Sequence, residues 1–140
     1  MNLKTLTTAA LMLALPALAP AYAQQFTTAE EIRPILDATR ANWVSVREFD
    51  GNDLLDFTHL MDWRCGLDSI RYSVNGEPSK TWQGEPCHAD EAKPNAIKSP
   101  EQPLHAVYPL GSIETVKIDL DYDDGTTDSA SYDRRSILMP

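Results

Sequence analysis

The sequence predicts an α+β, mainly β domain: an N-terminal helix packed on an antiparallel sheet of about five or six strands, held by one disulfide. Three observations predict it. A capped amphipathic segment opens the domain, runs of alternating apolar and polar residues separated by turn dipeptides fill the rest, and two cysteines, Cys65 and Cys87, stand alone.

The 140 residues divide into two parts. Residues 1–23 read as a secretory leader, with Lys4 as the positive n-region, residues 9–18 as the apolar stretch and Ala21-Tyr22-Ala23 as the small-residue cleavage motif. The apolar stretch is about half the length of a membrane span. Pro16 and Pro20 interrupt it, so removal is expected rather than anchoring, and no cysteine follows the motif to carry a lipid. Residues 24–140 are then a single small secreted domain, periplasmic in a Gram-negative cell.

Charge narrows the partners. The leader carries only Lys4, which leaves residues 24–140 with 11 Lys and Arg against 21 Asp and Glu, a net charge of −10. Without a basic cluster there is no counterion release to drive nucleic-acid binding, and an anionic membrane repels the chain. Solubility is the plain reading of such a charge, and a basic protein is the partner it favours.

In an oxidising compartment an isolated cysteine pair reads as a structural disulfide, which stabilises a small fold by about 3 kcal/mol in the chain-entropy model. The spacing is not Cys-x-x-Cys, so a redox pair is not indicated. A zinc site from Cys65, Cys87, His88 and His59 lacks the close cysteine pair of structural zinc sites.

Thr28 and Glu31 have capping-box spacing, and Ile32, Ile35 and Leu36 repeat at helical intervals, so a helix is predicted over residues 29–40. Pro34 is expected to kink or restart it. Residues 43–49 read as a strand ending in the turn Asp50-Gly51-Asn52. Residues 53–63 fit two patterns. A strand, the preferred reading, places Leu55, Phe57, His59, Met61 and Trp63 on one face; a helix starts at an Asp53 cap and stops at Gly66. Ile70, Tyr72 and Val74 alternate into the hairpin turn Asn75-Gly76, and Pro78 makes the returning arm an edge strand. Residues 84–102 lose periodicity and read as a long loop pinned at Cys87.

The last hairpin is the clearest element. Val116, Ile118, Leu120 and Tyr122 share one strand face. A two-residue turn at Asp124-Gly125 sets that face against serines. A three-residue loop, Asp123-Asp124-Gly125, sets Ile118 opposite Ala130 and Val116 opposite Tyr132, and it is the predicted register. Residues 136–139 form a short apolar end expected to return to the sheet.

Few residues suggest chemistry. Asp119, Asp121, Asp123 and Asp124 resemble the start of a calcium loop, but the sixth and twelfth positions hold Asp124 and Ala130, so a solvated strand face is expected. His59 sits in an apolar stripe between Asp56 and Asp62, where burial beside a carboxylate would make it a base or a ligand; a partly buried histidine hydrogen-bonded to the backbone is the plainer reading. His88 and His105 lie among prolines and share no ligand spacing. No nucleophile elbow or phosphate loop occurs. Trp43, Trp63 and Trp82 are expected to anchor the core. No catalytic residue, metal or cofactor is predicted. The functional expectation is a non-catalytic secreted binding or interaction module, which requires an exposed apolar patch, with Trp82 or Leu138-Met139 as candidates. The alternatives are a small hydrolase using His59 with a carboxylate, or an envelope subunit that self-associates.

Overall fold

The computed structural model describes residues 9–17 and 25–140. Lys4 and the Ala21-Tyr22-Ala23 motif lie outside the described residues. Of the apolar stretch, Leu11, Met12, Leu13 and Leu15 are more than 80% exposed and take no part in the core. No helix among the described residues is long and apolar enough to cross a membrane.

The first helix, α1, spans Ala29–Ala38. The Thr28 hydroxyl accepts from the Glu31 N–H at 3.3 Å, and the Glu31 carboxylate reaches back to the Phe26 N–H at 3.0 Å. Ile32 and Leu36 form its buried face. Contrary to expectation, the helix runs through Pro34 without a restart. Pro34 removes only the bond to the Glu30 carbonyl, and both residues are exposed, so that carbonyl faces solvent.

Next come β1, Ser45–Phe49, and β2, Asn52–Asp56, joined by Asp50-Gly51 with positive φ at both residues, the type I′ hairpin turn. The structure splits residues 53–63 between the two patterns that the sequence offered. The preferred strand ends at Asp56, whose carboxylate accepts from the Thr58 N–H at 2.7 Å and starts the short helix α2, Thr58–Met61. The ladder makes one more bond, from the Phe57 N–H to the Leu104 carbonyl at 2.8 Å, before the local side-chain bond turns the chain into the helix. The single face from Leu55 to Trp63 therefore does not form.

A 3₁₀ turn at Arg64–Gly66 leads into β3, Leu67–Val74, then the Asn75-Gly76 turn and β4, Lys80–Thr81. After the long loop follow β5, His105–Pro109, β6, Thr115–Tyr122, β7, Thr127–Asp133, and the short helix α3, Arg134–Ile137. The seven strands form two antiparallel sheets, in the orders β1-β2-β5 and β4-β3-β6-β7. The last hairpin takes the predicted register: the Tyr122 N–H donates to the Thr126 carbonyl at 2.8 Å, Ile118 faces Ala130 and Val116 faces Tyr132. The apolar end also returns as expected, since Leu138 bridges Val46 in parallel and the Met139 N–H donates to the Val46 carbonyl at 2.8 Å.

Between the sheets lies one apolar core to which α1 and α2 contribute, with Trp43, Phe57, Leu55, Ile118 and Leu120 among its fully buried members. Inside it sits a carboxylate. Asp53, on the inner face of β2, is completely buried and accepts from Arg134 Nη1 at 2.6 Å and Nη2 at 3.0 Å. The backbone N–H groups of Gly111 and Ile113 add bonds of 3.0 and 3.1 Å. The Arg134 guanidinium holds the Asp53 carboxyl far below the usual carboxylate range; burial opposes this, and the two backbone donors reinforce it. Arg134 also bonds Glu48 of β1 at 2.8 Å and the Ile113 carbonyl at 2.9 Å.

Losing the Asp53 carboxylate leaves the buried donors that converge on it short of acceptors, while Arg134 keeps Glu48 and the Ile113 carbonyl, so Asp53→Asn should lower the unfolding free energy by about 2 kcal/mol in urea titrations at pH 7. A loss below 1 kcal/mol would show that the pair is not structural.

Candidate functional site

The residues singled out by the sequence are largely occupied by the fold. His59 lies half-buried on α2, its Nε2 2.8 Å from the Thr39 hydroxyl. That hydroxyl donates to the Ile35 carbonyl at 2.7 Å, so His59 Nε2 is the donor of the pair. Burial lowers the His59 pKa more than nearby Asp62 raises it, which leaves the ring neutral at pH 7. Contrary to the expected backbone bond, its partner is a side-chain hydroxyl, and it is not a carboxylate either.

The acidic run is similarly engaged. Asp121 pairs with Arg71 at 2.8 Å and with the Ser69 hydroxyl, Asp124 pairs with Arg33 at 2.8 Å, and Asp119 accepts from Ser129 at 2.8 Å. Asp123 accepts from the Ala29 N–H at 2.8 Å, at the start of α1. Asp119 ties the two arms of the last hairpin together, the other three join it to β3 and α1, and their partners are spread along it. Among the described residues no group of three or more His, Cys, Asp and Glu side chains is arranged to hold a metal ion.

Cys65 and Cys87 are joined, as predicted, and fasten the long loop to the 3₁₀ turn before β3. Beside them lies an ion pair that the sequence did not reveal. Arg64 Nη2 contacts Glu85 at 3.1 Å, with side chains only 6% and 1% exposed. Arg64 also donates to the carbonyls of Met61, Pro86, Asn95 and Ala96. Glu85 accepts from the Lys98 N–H at 2.8 Å, from the Ser99 N–H, and contacts His88 Nε2 at 3.0 Å. Burial pushes the Glu85 carboxyl up, but His88 and the two backbone donors outweigh it and hold it at about 2.

A cleft of about 240 Å³ opens beside this pair, lined by Met61, Ser69, Trp82 and Cys87 among others. It is smaller than the roughly 300 Å³ at which ligand pockets begin, and Arg64 and Glu85 are already committed to the loop. Two larger hollows, of about 400 and 350 Å³ and mostly apolar in lining, lie along Thr115–Lys117 and around Phe26 and Asn95. Asp133 in the first caps α3 through the Ser136 N–H at 2.9 Å, and Asn95 in the second holds the Phe26 carbonyl at 2.9 Å.

Of the tryptophans, Trp43 is fully buried and donates to the Leu36 carbonyl at 2.9 Å. Trp82 stacks on Phe57 at 4.1 Å, and Trp63 meets Phe26 edge-on at 5.1 Å, so both pack against the core. Trp82 thus offers no docking patch.

The uncommitted surface lies elsewhere, on the outer face of the three-stranded sheet. Pairing sets its side chains in rows across the strands: Arg47, Leu54 and Val107 in one, Phe49, Asn52 and Pro109 in the next. Phe49 is 63% exposed and Val107 59%, with Leu110 exposed just beyond the strand and Leu138 and Met139 exposed at the β1 edge. β5 lies within residues 102–113, which hold no Asp, Glu, Lys or Arg, in a chain where 24% of residues are charged. That gap was visible in the sequence, but without alternation it gave no sign of a strand. No protein-family model, curated protein or solved structure matches this chain.

The Glu85 carboxylate is depressed in the folded state, so its contribution to stability is full above about pH 4.5 and is lost as the pH falls to about 2. Glu85→Gln should therefore be less stable than the parent at pH 7 and show a flatter stability profile between those values. Parallel profiles for the two proteins would contradict the assignment.

Proposed function

We infer that this is a secreted binding module whose contact surface is the outer face of the β1-β2-β5 sheet. The observation that carries this reading is the uncovered apolar surface formed by Phe49, Val107 and Leu110, beside a strand within a stretch free of charged residues. Exposed apolar groups gathered on one sheet face are a recognised mark of protein contact, whereas single ones are ordinary. Engagement of His59, Glu85 and the aspartates by neighbouring protein groups leaves the sheet face as the best candidate.

Secretion is supported by the leader pattern, by the exposure of residues 11–15 and by the disulfide, which persists in oxidising compartments. A basic partner remains favoured at long range by the net charge of −10; on the face itself Arg47 lies over the Phe49 ring at 5.8 Å, and burial of the apolar groups around it supplies the contact energy.

Site-specific photo-crosslinking in the producing cells tests this. A benzophenone side chain at position 49 or 107 should yield discrete adducts, and one at Lys117, on the outer face of the other sheet, should yield none. Equal labelling at all three positions, or none anywhere, would remove the basis for the reading.

A further inference from the structure

We propose that the open β5 edge of this sheet engages a second copy of this chain, with the two β5 strands pairing antiparallel about a twofold axis at Ala106. This goes beyond the contact proposed for the sheet face, because pairing at the edge sets the two faces side by side and leaves both open.

The four sheet edges are treated differently. The β1 edge is covered where Leu138 and Met139 return to Val46, and its other outward position, Glu48, is paired with Arg134. The β4 edge is only two residues long and carries Lys80. On β7, Arg40 donates to the Ser129 carbonyl at 2.7 Å and pairs with Asp128 at 2.6 Å. Short strands, charges and covering segments are the usual protections against edge pairing. The β5 edge has no charge and, among the described residues, no covering segment.

The free groups of that edge can be specified. The Phe57 N–H donates to the Leu104 carbonyl at 2.8 Å, which makes 57 and 104 a hydrogen-bonded pair and, by alternation, 55 with 106 and 53 with 108. The N–H and C=O of His105 and Val107 therefore point away from β2. The next outward positions on either side are Pro103 and Pro109, which have no N–H. The edge thus offers two donors, framed by prolines.

Centring the pair on Ala106 sets His105 against Val107 of the other copy, twice, and satisfies all four free groups of each chain in four hydrogen bonds. Centring it on Val107 instead directs His105 to Pro109, whose carbonyl already accepts from the Ser112 N–H at 3.0 Å and which has no donor to return. Net charge opposes self-association, and this edge is where it opposes it least. Two molecules of net charge −10 repel over most of their surfaces, and residues 102–113 are where carboxylates are absent. The result is a continuous six-stranded sheet across the axis, with Val107 of each copy beside His105 of the other on the outer face.

Sedimentation equilibrium on the purified protein reads the outcome. The parent should show a concentration-dependent dimer whose dissociation constant falls several-fold as sodium chloride rises from 50 to 500 mM, because screening weakens the repulsion. Val107→Pro removes an outward donor at an edge position, where proline is tolerated. It should be monomeric with an unchanged far-ultraviolet dichroism spectrum. If that variant misfolds, Ala106→Cys decides: residues facing each other on the axis in a non-hydrogen-bonded pair lie about 4.5 Å apart at Cα. Mild oxidation should then link the two copies at Ala106→Cys and not at Lys117→Cys. A parent that stays monomeric at all concentrations and salts, or equal linking at both positions, overturns the proposal. Adducts from position 107 to a different protein, with a monomeric parent, would overturn the twofold pairing while leaving the contact face intact.

Discussion

A buried carboxylate must be surrounded by donors or it cannot stay ionised, and Asp53 imposes that demand on the centre of this fold. Its four donors come from Arg134, Gly111 and Ile113, residues far from it in sequence. Meeting the demand fixes where the chain crosses from β5 in one sheet to β6 in the other. It also fixes where α3 begins. From α3 the last residues run along Val46 and close the β1 edge. The same carboxylate therefore determines which edge of the three-stranded sheet is covered and holds the end of the one that is not.

A second polar centre works on the same principle at the other end of the domain. Arg64 and Glu85 could not be buried alone, and between them they engage backbone groups from Met61 to Ser99. With the disulfide next to them, they give a loop that lacks regular structure a defined path. Chemically able groups in the long loop are consumed in holding it. The β5 edge and the exposed apolar residues beside it have no such engagement among the described residues, and the proposed contact function rests on them.

Legibility in the sequence followed the range of the interactions. The α1 cap, the three hairpin turns and the register of the last hairpin were readable because each depends on neighbouring residues and on matching one apolar face. The disulfide was readable because only one pairing exists. The helix survived Pro34 because the bond lost there faces water, a fact about exposure that periodicity does not contain. The split of residues 53–63 turned on one side-chain bond from Asp56 to Thr58. Asp53 itself resembled a helix cap, and its Arg134 partner lies 81 residues away, beyond any local pattern. β5 was hidden for a related reason. Its flanking prolines read as loop, and its charge-free composition becomes meaningful only once its place at a sheet edge is known.

The central claim is that the Asp53 cluster anchors the end of β5 from inside while its outer edge is left open. Native-state hydrogen exchange on dilute, monomeric protein tests it directly. The Gly111 and Ile113 amides, bonded to Asp53, should exchange only on global unfolding, whereas the His105 and Val107 amides should exchange orders of magnitude faster. Protection of His105 and Val107 equal to that of Ile113 in the monomer would mean that the edge is already covered and would contradict the account.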